Sequence, residues 1–316
     1  MKKIVVFGGG TGLSCLLSGL KLFPVDVTTV IAVSDNGSST GVLKKELDIP
    51  AVGDVGKVLI SMANVDEDFT RLLSYRFSRD GSLYNHPVRN IMLAALIDLK
   101  GNLTEATRYM CRLLNIKGTV LPLTEEKVEL VGENEAHERE FFGQVEVSRN
   151  IRSIARLNYD HDVHVSREVV AHILDSDLIV FSPGSLYTSI LPHLIAAEVV
   201  EAIDRAKAPV LYVCNLVTQP GETDGYQVSD HLRVLNQYLG SRNVDIVLAN
   251  NGAIDPAVEA VYLTTECKTV VRLDRELVEP LGARIIEDDM VCIEDGYVRH
   301  DALKTAFLIF SWLMGK

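Results

Sequence analysis

The chain has 316 residues, 47% of them apolar and 23% charged, with a formal net charge of −12. That apolar share provides for a large buried core and argues against global disorder, while the acidic balance argues against an extended nucleic-acid surface, which needs clustered Lys and Arg. No apolar run reaches the roughly 18 residues of a membrane span, and five scattered cysteines without a C-x-x-C pair point to a reducing cytoplasm rather than a disulfide frame or zinc site.

Strand-like runs alternate with helical patterns, the signature of an α/β protein with a doubly wound, mostly parallel sheet of the Rossmann-like kind. Residues 4–7 form a fully apolar run of the buried-strand type. Leu13, Leu16, Leu17 and Leu20 follow at helical spacing, and Pro24 closes that helix. Residues 28–33 predict a second strand. His86-Pro87 opens another helix with an apolar body through Ile97. Asn102 with Glu105 resembles a capping box before a helix ending near Leu114. Residues 119–150 differ: they are charged, carry short β-like runs ("KVELVG", "QVEVS") and hold the acidic run 133–140. They predict a small β-containing insertion within one Rossmann-like domain spanning 1–316. Ser166 caps a further helix; strands follow at 178–181, 210–213, 245–249 and 269–273; a buried terminal helix starts near Asp301.

Four polar, glycine-bearing loops follow strands. In the first, Gly8, Gly9, Gly10 and Gly12 sit between strand and helix, with Thr11 among them. Glycine lets backbone N–H groups approach a ligand, and a helix N-terminus adds partial positive charge, so the turn suits a phosphate or pyrophosphate. The dinucleotide fingerprint G-x-G-x-x-G is broken: from Gly8 it ends on Leu13, from Gly10 on Cys15. NAD, a nucleotide sugar and a plain turn all stay open. The second loop, "SDNGSSTG", offers Asp35 as a hydroxyl acceptor or Mg²⁺ ligand, and Asn36, Ser38 and Ser39 as phosphate donors. Asp54 is a second hard oxygen ligand for Mg²⁺ beside Asp35. The third, "FSPGSLYTSILPHL", places Gly184 and Ser185 in a potential anion nest. The fourth, "CNLVTQPGETDGY", supplies Asn215 and Thr218, whose amide and hydroxyl suit a sugar or base edge. Its Glu222 and Asp224 read as turn chemistry ahead of acid–base chemistry.

Taken together, "GGGTG", "DNGSSTG", "HPVRN", "PGSLYTSILPHL" and "NLVTQPGETDGY" resemble the signature blocks of the bacterial gluconeogenesis factor family, similar in fold to 2-phospho-L-lactate transferase. The resemblance covers nearly the whole chain. It implies a cytoplasmic protein that binds a UDP-sugar such as UDP-N-acetylglucosamine or UDP-glucose, and that supports cell-wall formation and cell shape during gluconeogenic growth, with cell-wall synthesis proteins as partners and a homo-oligomer as its assembly. It also implies that Gly9, Gly10, Thr11 and Gly12 face the nucleotide, that Asn90 and Asn215 line the pocket, and that Tyr262 and Arg299 reach the UDP-sugar. No catalytic residue is assigned. The transferase relatives imply the competing reading, a Mg²⁺-dependent nucleotide-linked transferase. The blocks depart from the family at Asn36, Gly56 and Lys57, and Arg89 stands where glycine is usual.

Overall fold

The structure is a computed structural model that describes residues 1–134, 139–294 and 296–315. In chain order its strands are β1 (Lys2–Gly8), β2 (Val25–Ile31), β3 (Thr119–Pro122), β4 (Leu130–Glu133), β5 (Glu140–Phe142), β6 (Arg156–Tyr159), β7 (Leu178–Phe181), β8 (Val210–Val213), β9 (Ile246–Asn250), β10 (Arg284–Asp288), β11 (Val291–Glu294) and β12 (Tyr297–His300). Seven of them form one sheet in the order β10-β9-β8-β7-β1-β2-β3, and every pairing in it is parallel.

Both faces of this sheet are covered, so its central strands are apolar throughout rather than alternating. Along β1, Ile4 and Val6 enter the core on one face, and Val5 and Phe7 enter the core on the other. Phe7 stacks on Phe181 of the neighbouring strand, ring centroids 5.4 Å apart. From β1 the chain winds outward through β2 and β3, then returns to β7 and winds the opposite way. The boundary between β1 and β7 is therefore the topological switch point, where the turns leaving the carboxyl ends diverge and open a crevice.

The insertion is more compact than its composition suggests. Residues 119–122 pair with β2 and close the edge of the main sheet, so the extra layer is the antiparallel sheet β5-β4-β6. The "QVEVS" run is the first part of a helix, Gln144–Asn150. Its Val147 is buried and Val145 exposed, an alternation too short to separate helix from strand. Positions 135–138 of the acidic run lie outside the described residues. Residues 269–273 form no strand: Val270 makes one isolated bridge to Val217, and the edge position belongs to β10, whose side chains are half-buried.

The terminal helix Ala302–Met314 is buried on one side only. Ala306, Ile309 and Leu313 face the core while Leu303, Phe307 and Met314 are exposed, because the helix packs as an outer layer against the helix Gly10–Leu20. That contact closes on backbone: a side chain at Gly19 would land on the Ala302 carbonyl. Overpacking of this kind costs typically about 1–3 kcal/mol. Gly19→Val is expected to lower stability by that amount, read as a fall in the urea midpoint at unchanged slope.

Candidate functional site

A cleft of about 480 Å³ opens at the switch point, within the range of small-molecule sites. Its floor is the turn after β1. The helix Gly10–Leu20 starts there with no side-chain cap and no acidic residue in its first turn, so the first N–H groups and the positive end of the helix dipole face the cleft. Gly10 has φ +67°, a conformation that L side chains rarely adopt. At Gly12 a side chain would collide with the Pro183 carbonyl. The turns after β1 and β7 therefore meet backbone to backbone.

The turn after β7 is pinned from the next strand. Gly184 N–H donates to Asn215 Oδ1 and Asn215 Nδ2 donates to Gly184 O, both at 2.8 Å. Asn215 lines the cleft with its amide committed to this reciprocal pair, so it positions the turn. Ser185 caps the π-helical turn Leu186–Ile190 by accepting from Thr188 N–H, and its hydroxyl donates to the buried Glu222 carboxylate at 2.8 Å. Burial raises the Glu222 carboxyl pKa, opposed by donation from Tyr187 N–H and Ser185. Asp224 pairs with Arg152. Glu222 and Asp224 thus serve the loop, as turn chemistry anticipates.

The opposite wall comes from the late hairpin β11–β12. Arg299 and His300 line the cleft with Lys268. His300 Nε2 approaches Cys214 O at 3.1 Å, and complete burial lowers its pKa to about 4, so the ring is neutral and fastens the hairpin to the end of β8. Tyr262 lies in an adjoining apolar pocket of about 410 Å³ that shares Val217, Lys268 and Val298 with the cleft. Its hydroxyl accepts from Val298 N–H at 2.6 Å, one residue before Arg299, so it reaches the cleft through the hairpin. Arg299 lies over the Tyr297 ring, 5.1 Å from its centroid.

Of the residues singled out in the sequence, Gly9, Gly10, Thr11, Gly12, Asp35, Gly184, Ser185, Asn215, Thr218 and Arg299 converge on the cleft, as does Asp54. Gly8 ends β1 and is buried behind the turn. Asn36 turns to the insertion, donating to Glu129 and accepting from Val145 N–H. Ser38 and Asn90 belong to a separate pocket. Thr218 is tied to Thr269. Sequence reasoning missed Gln144, Ser148, Lys268 and His300 as lining residues; none sits in a glycine loop, the signal that found the others.

Asp35 and Asp54 lie close enough to interact. Burial, and then the Asp54 charge, raise the Asp35 pKa, against donation from Gly37 N–H. Asp54 accepts from Lys57 Nζ at 2.8 Å. No group of three or more His, Cys, Asp or Glu side chains that would hold a metal ion occurs among the described residues. Two carboxylates fit Mg²⁺, which takes one or two of them and completes its shell with phosphates and waters.

Such an arrangement defines a Rossmann-like α/β protein with a glycine-lined cleft at its switch point. The profile of the 2-phospho-L-lactate transferase CofD family matches residues 4–291, and the chain belongs to that family. It is 38% identical to a gluconeogenesis factor of Halalkalibacterium halodurans, over 98% of this chain and 96% of the relative. It is 37% identical to that of Bacillus subtilis, over 98% of each. A crystal structure of a UPF0052 family member from Bacillus halodurans superposes with a TM-score of 0.93 at 38% identity, covering 98% of this chain and 99% of that one. No single helix among the described residues is long and apolar enough to cross a membrane.

The raised Asp35 pKa fixes the sign of a pH effect. Its protonated form is favoured in the fold, so this contribution to stability is greatest below the unfolded carboxylate pKa and is lost as pH rises through the folded one. Asp35→Asn is expected to be more stable than the parent at pH 7, with the gap closing toward pH 4 in thermal unfolding.

Proposed function

We propose that the cleft binds a UDP-sugar, UDP-N-acetylglucosamine or UDP-glucose, and that the protein is a cytoplasmic regulator through which gluconeogenic growth is coupled to cell-wall synthesis and cell shape. The observation that carries this reading is the pairing of the uncapped Gly9–Gly12 turn with Gly184 on one side and Arg299 and Lys268 on the other. A diphosphate fits between a helix N-terminus and a guanidinium because both supply donors to its oxygens. The elongated cleft, continuing past Val217 and Val298 toward the apolar pocket, leaves room for base and sugar. The names of the relatives support a role in gluconeogenic growth.

A second reading is favoured by the Asp35–Asp54 pair: a Mg²⁺-dependent nucleotide-linked transferase. Asp35 and Asp54 would hold the ion, which would supply charge neutralisation at phosphate oxygens. Lys57 then shares Asp54 with it, and the Gly9–Gly12 turn still orients the phosphates.

Calorimetric titration separates the two. A UDP-sugar is expected to bind with micromolar affinity without Mg²⁺, and Arg299→Ala to weaken it at least about tenfold, or ~1.4 kcal/mol. Binding of GDP alone, and only with Mg²⁺, would overturn the regulator reading in favour of the transferase.

A further inference from the structure

Beyond Asp35 and Lys57 lies a second, smaller pocket of about 200 Å³, lined also by Gly37, Ser38, Ser39, Thr40, Gly53, Arg76, Arg89 and Asn90. It is below the roughly 300 Å³ at which nucleotide-sized ligand sites begin. Its charge is unusual for so acidic a chain: three cationic side chains face one carboxylate.

Arg89 is the informative residue. Its side chain is 9% exposed, and its buried Nε has no hydrogen-bond partner. Among the described residues it forms no ion pair. Asn90 Oδ1, buried beside it, is also unpartnered. Burial, and then the nearby Arg76, lower the Arg89 pKa, as expected for a guanidinium held against a like charge without a counterion. Arg76 is fixed by its Nη1 donating to Asn85 O at 2.7 Å, so it does not swing away. Leaving a charge buried and uncompensated is strongly destabilising, and an anion at Arg89 would compensate it.

The neighbouring elements agree. The helix Ser38–Leu47 begins at this pocket with no side-chain cap and no acidic residue in its first turn, so the positive end of its dipole lies there; Thr40 N–H is taken by Gly37 O. Ser39 Oγ is held by His86 and Asn90. The single acid, Asp35, is occupied by Gly37 N–H.

We propose that this pocket is a phosphate-monoester site, distinct from the cleft, in which Arg89 and Arg76 grip the phosphoryl oxygens and the N-terminus of the helix Ser38–Leu47 completes the cradle. Guanidinium forks match phosphate geometry. A monoester is the class that fits, because the volume admits a phosphoryl group with a short substituent and no nucleoside. The two anions would then meet across Asp35 and Lys57, which line both cavities.

The test uses inorganic phosphate, methyl phosphate and malonate, with calorimetry and thermal unfolding in phosphate-free buffer. The parent protein is expected to bind phosphate and methyl phosphate and to gain thermal stability from both. Arg89→Gln is expected to raise the melting temperature without ligand, by removing the unpaired charge, and to weaken phosphate at least about tenfold. Arg76→Gln, at an exposed position, reads the same loss if Arg89→Gln fails to fold. Arg233→Gln, at a residue paired with Asp230 outside both cavities, is expected to leave phosphate affinity unchanged. Unaltered phosphate binding in both Arg89→Gln and Arg76→Gln, loss of it in Arg233→Gln, or malonate binding as tightly as phosphate would each overturn the assignment.

Discussion

Backbone contact between Gly12 and the Pro183 carbonyl sets the floor of the cleft. The contact leaves no room for a side chain at Gly12, and it brings together two turns that the sheet itself would only place side by side. Parallel pairing of β1 with β7 makes both turns leave the same edge. The reversal of winding between those strands keeps helices from covering it. The reciprocal hydrogen bonds of Asn215 with Gly184 and the neutral His300 at Cys214 O then lock the third and fourth contributors to the same frame. Four distant stretches of chain thus line one cleft and are tied to one another by hydrogen bonds.

Electrostatics follows from this geometry more than from composition. The chain carries a net charge of −12, yet Lys57, Lys268 and Arg299 gather around the cleft, and Arg76 and Arg89 around the pocket beside it. Asp35 stands between the two cavities. Burial and the neighbouring Asp54 raise its pKa. Lys57, ion-paired with Asp54, occupies the same boundary. The two cavities therefore share two side chains.

Much of this was legible in the sequence, for identifiable reasons. Glycines and short polar residues after apolar runs mark strand-to-helix turns, and a parallel sheet sends those turns to one edge; that logic brings Gly9–Gly12, Asp35, Gly184, Asn215 and Thr218 to the cleft. It fails where a residue reaches the site from elsewhere. Gln144 and Ser148 come from a short helix of the insertion, and Lys268 from a loop after the helix Pro256–Glu266. Asn36 reads as a phosphate donor in its loop, but Glu129, just before β4, and Val145, in the helix Gln144–Asn150, take both ends of its amide. Asn90 and Ser38 belong with Arg89, a grouping that only the packing of the helices Ser38–Leu47, Gly53–Met62 and Val88–Lys100 creates. Residues 269–273 have strand composition, but β10 holds the sheet edge beside β9 and they are left with a single bridge.

The most direct measurement is a crystal structure of the protein soaked with UDP-N-acetylglucosamine in Mg²⁺-free, phosphate-free buffer. The account requires the diphosphate on the N–H groups of the Gly9–Gly12 turn and Gly184, with the Arg299 guanidinium on its far side. A diphosphate bound away from that turn, or a cleft that stays empty at saturating ligand, would contradict it.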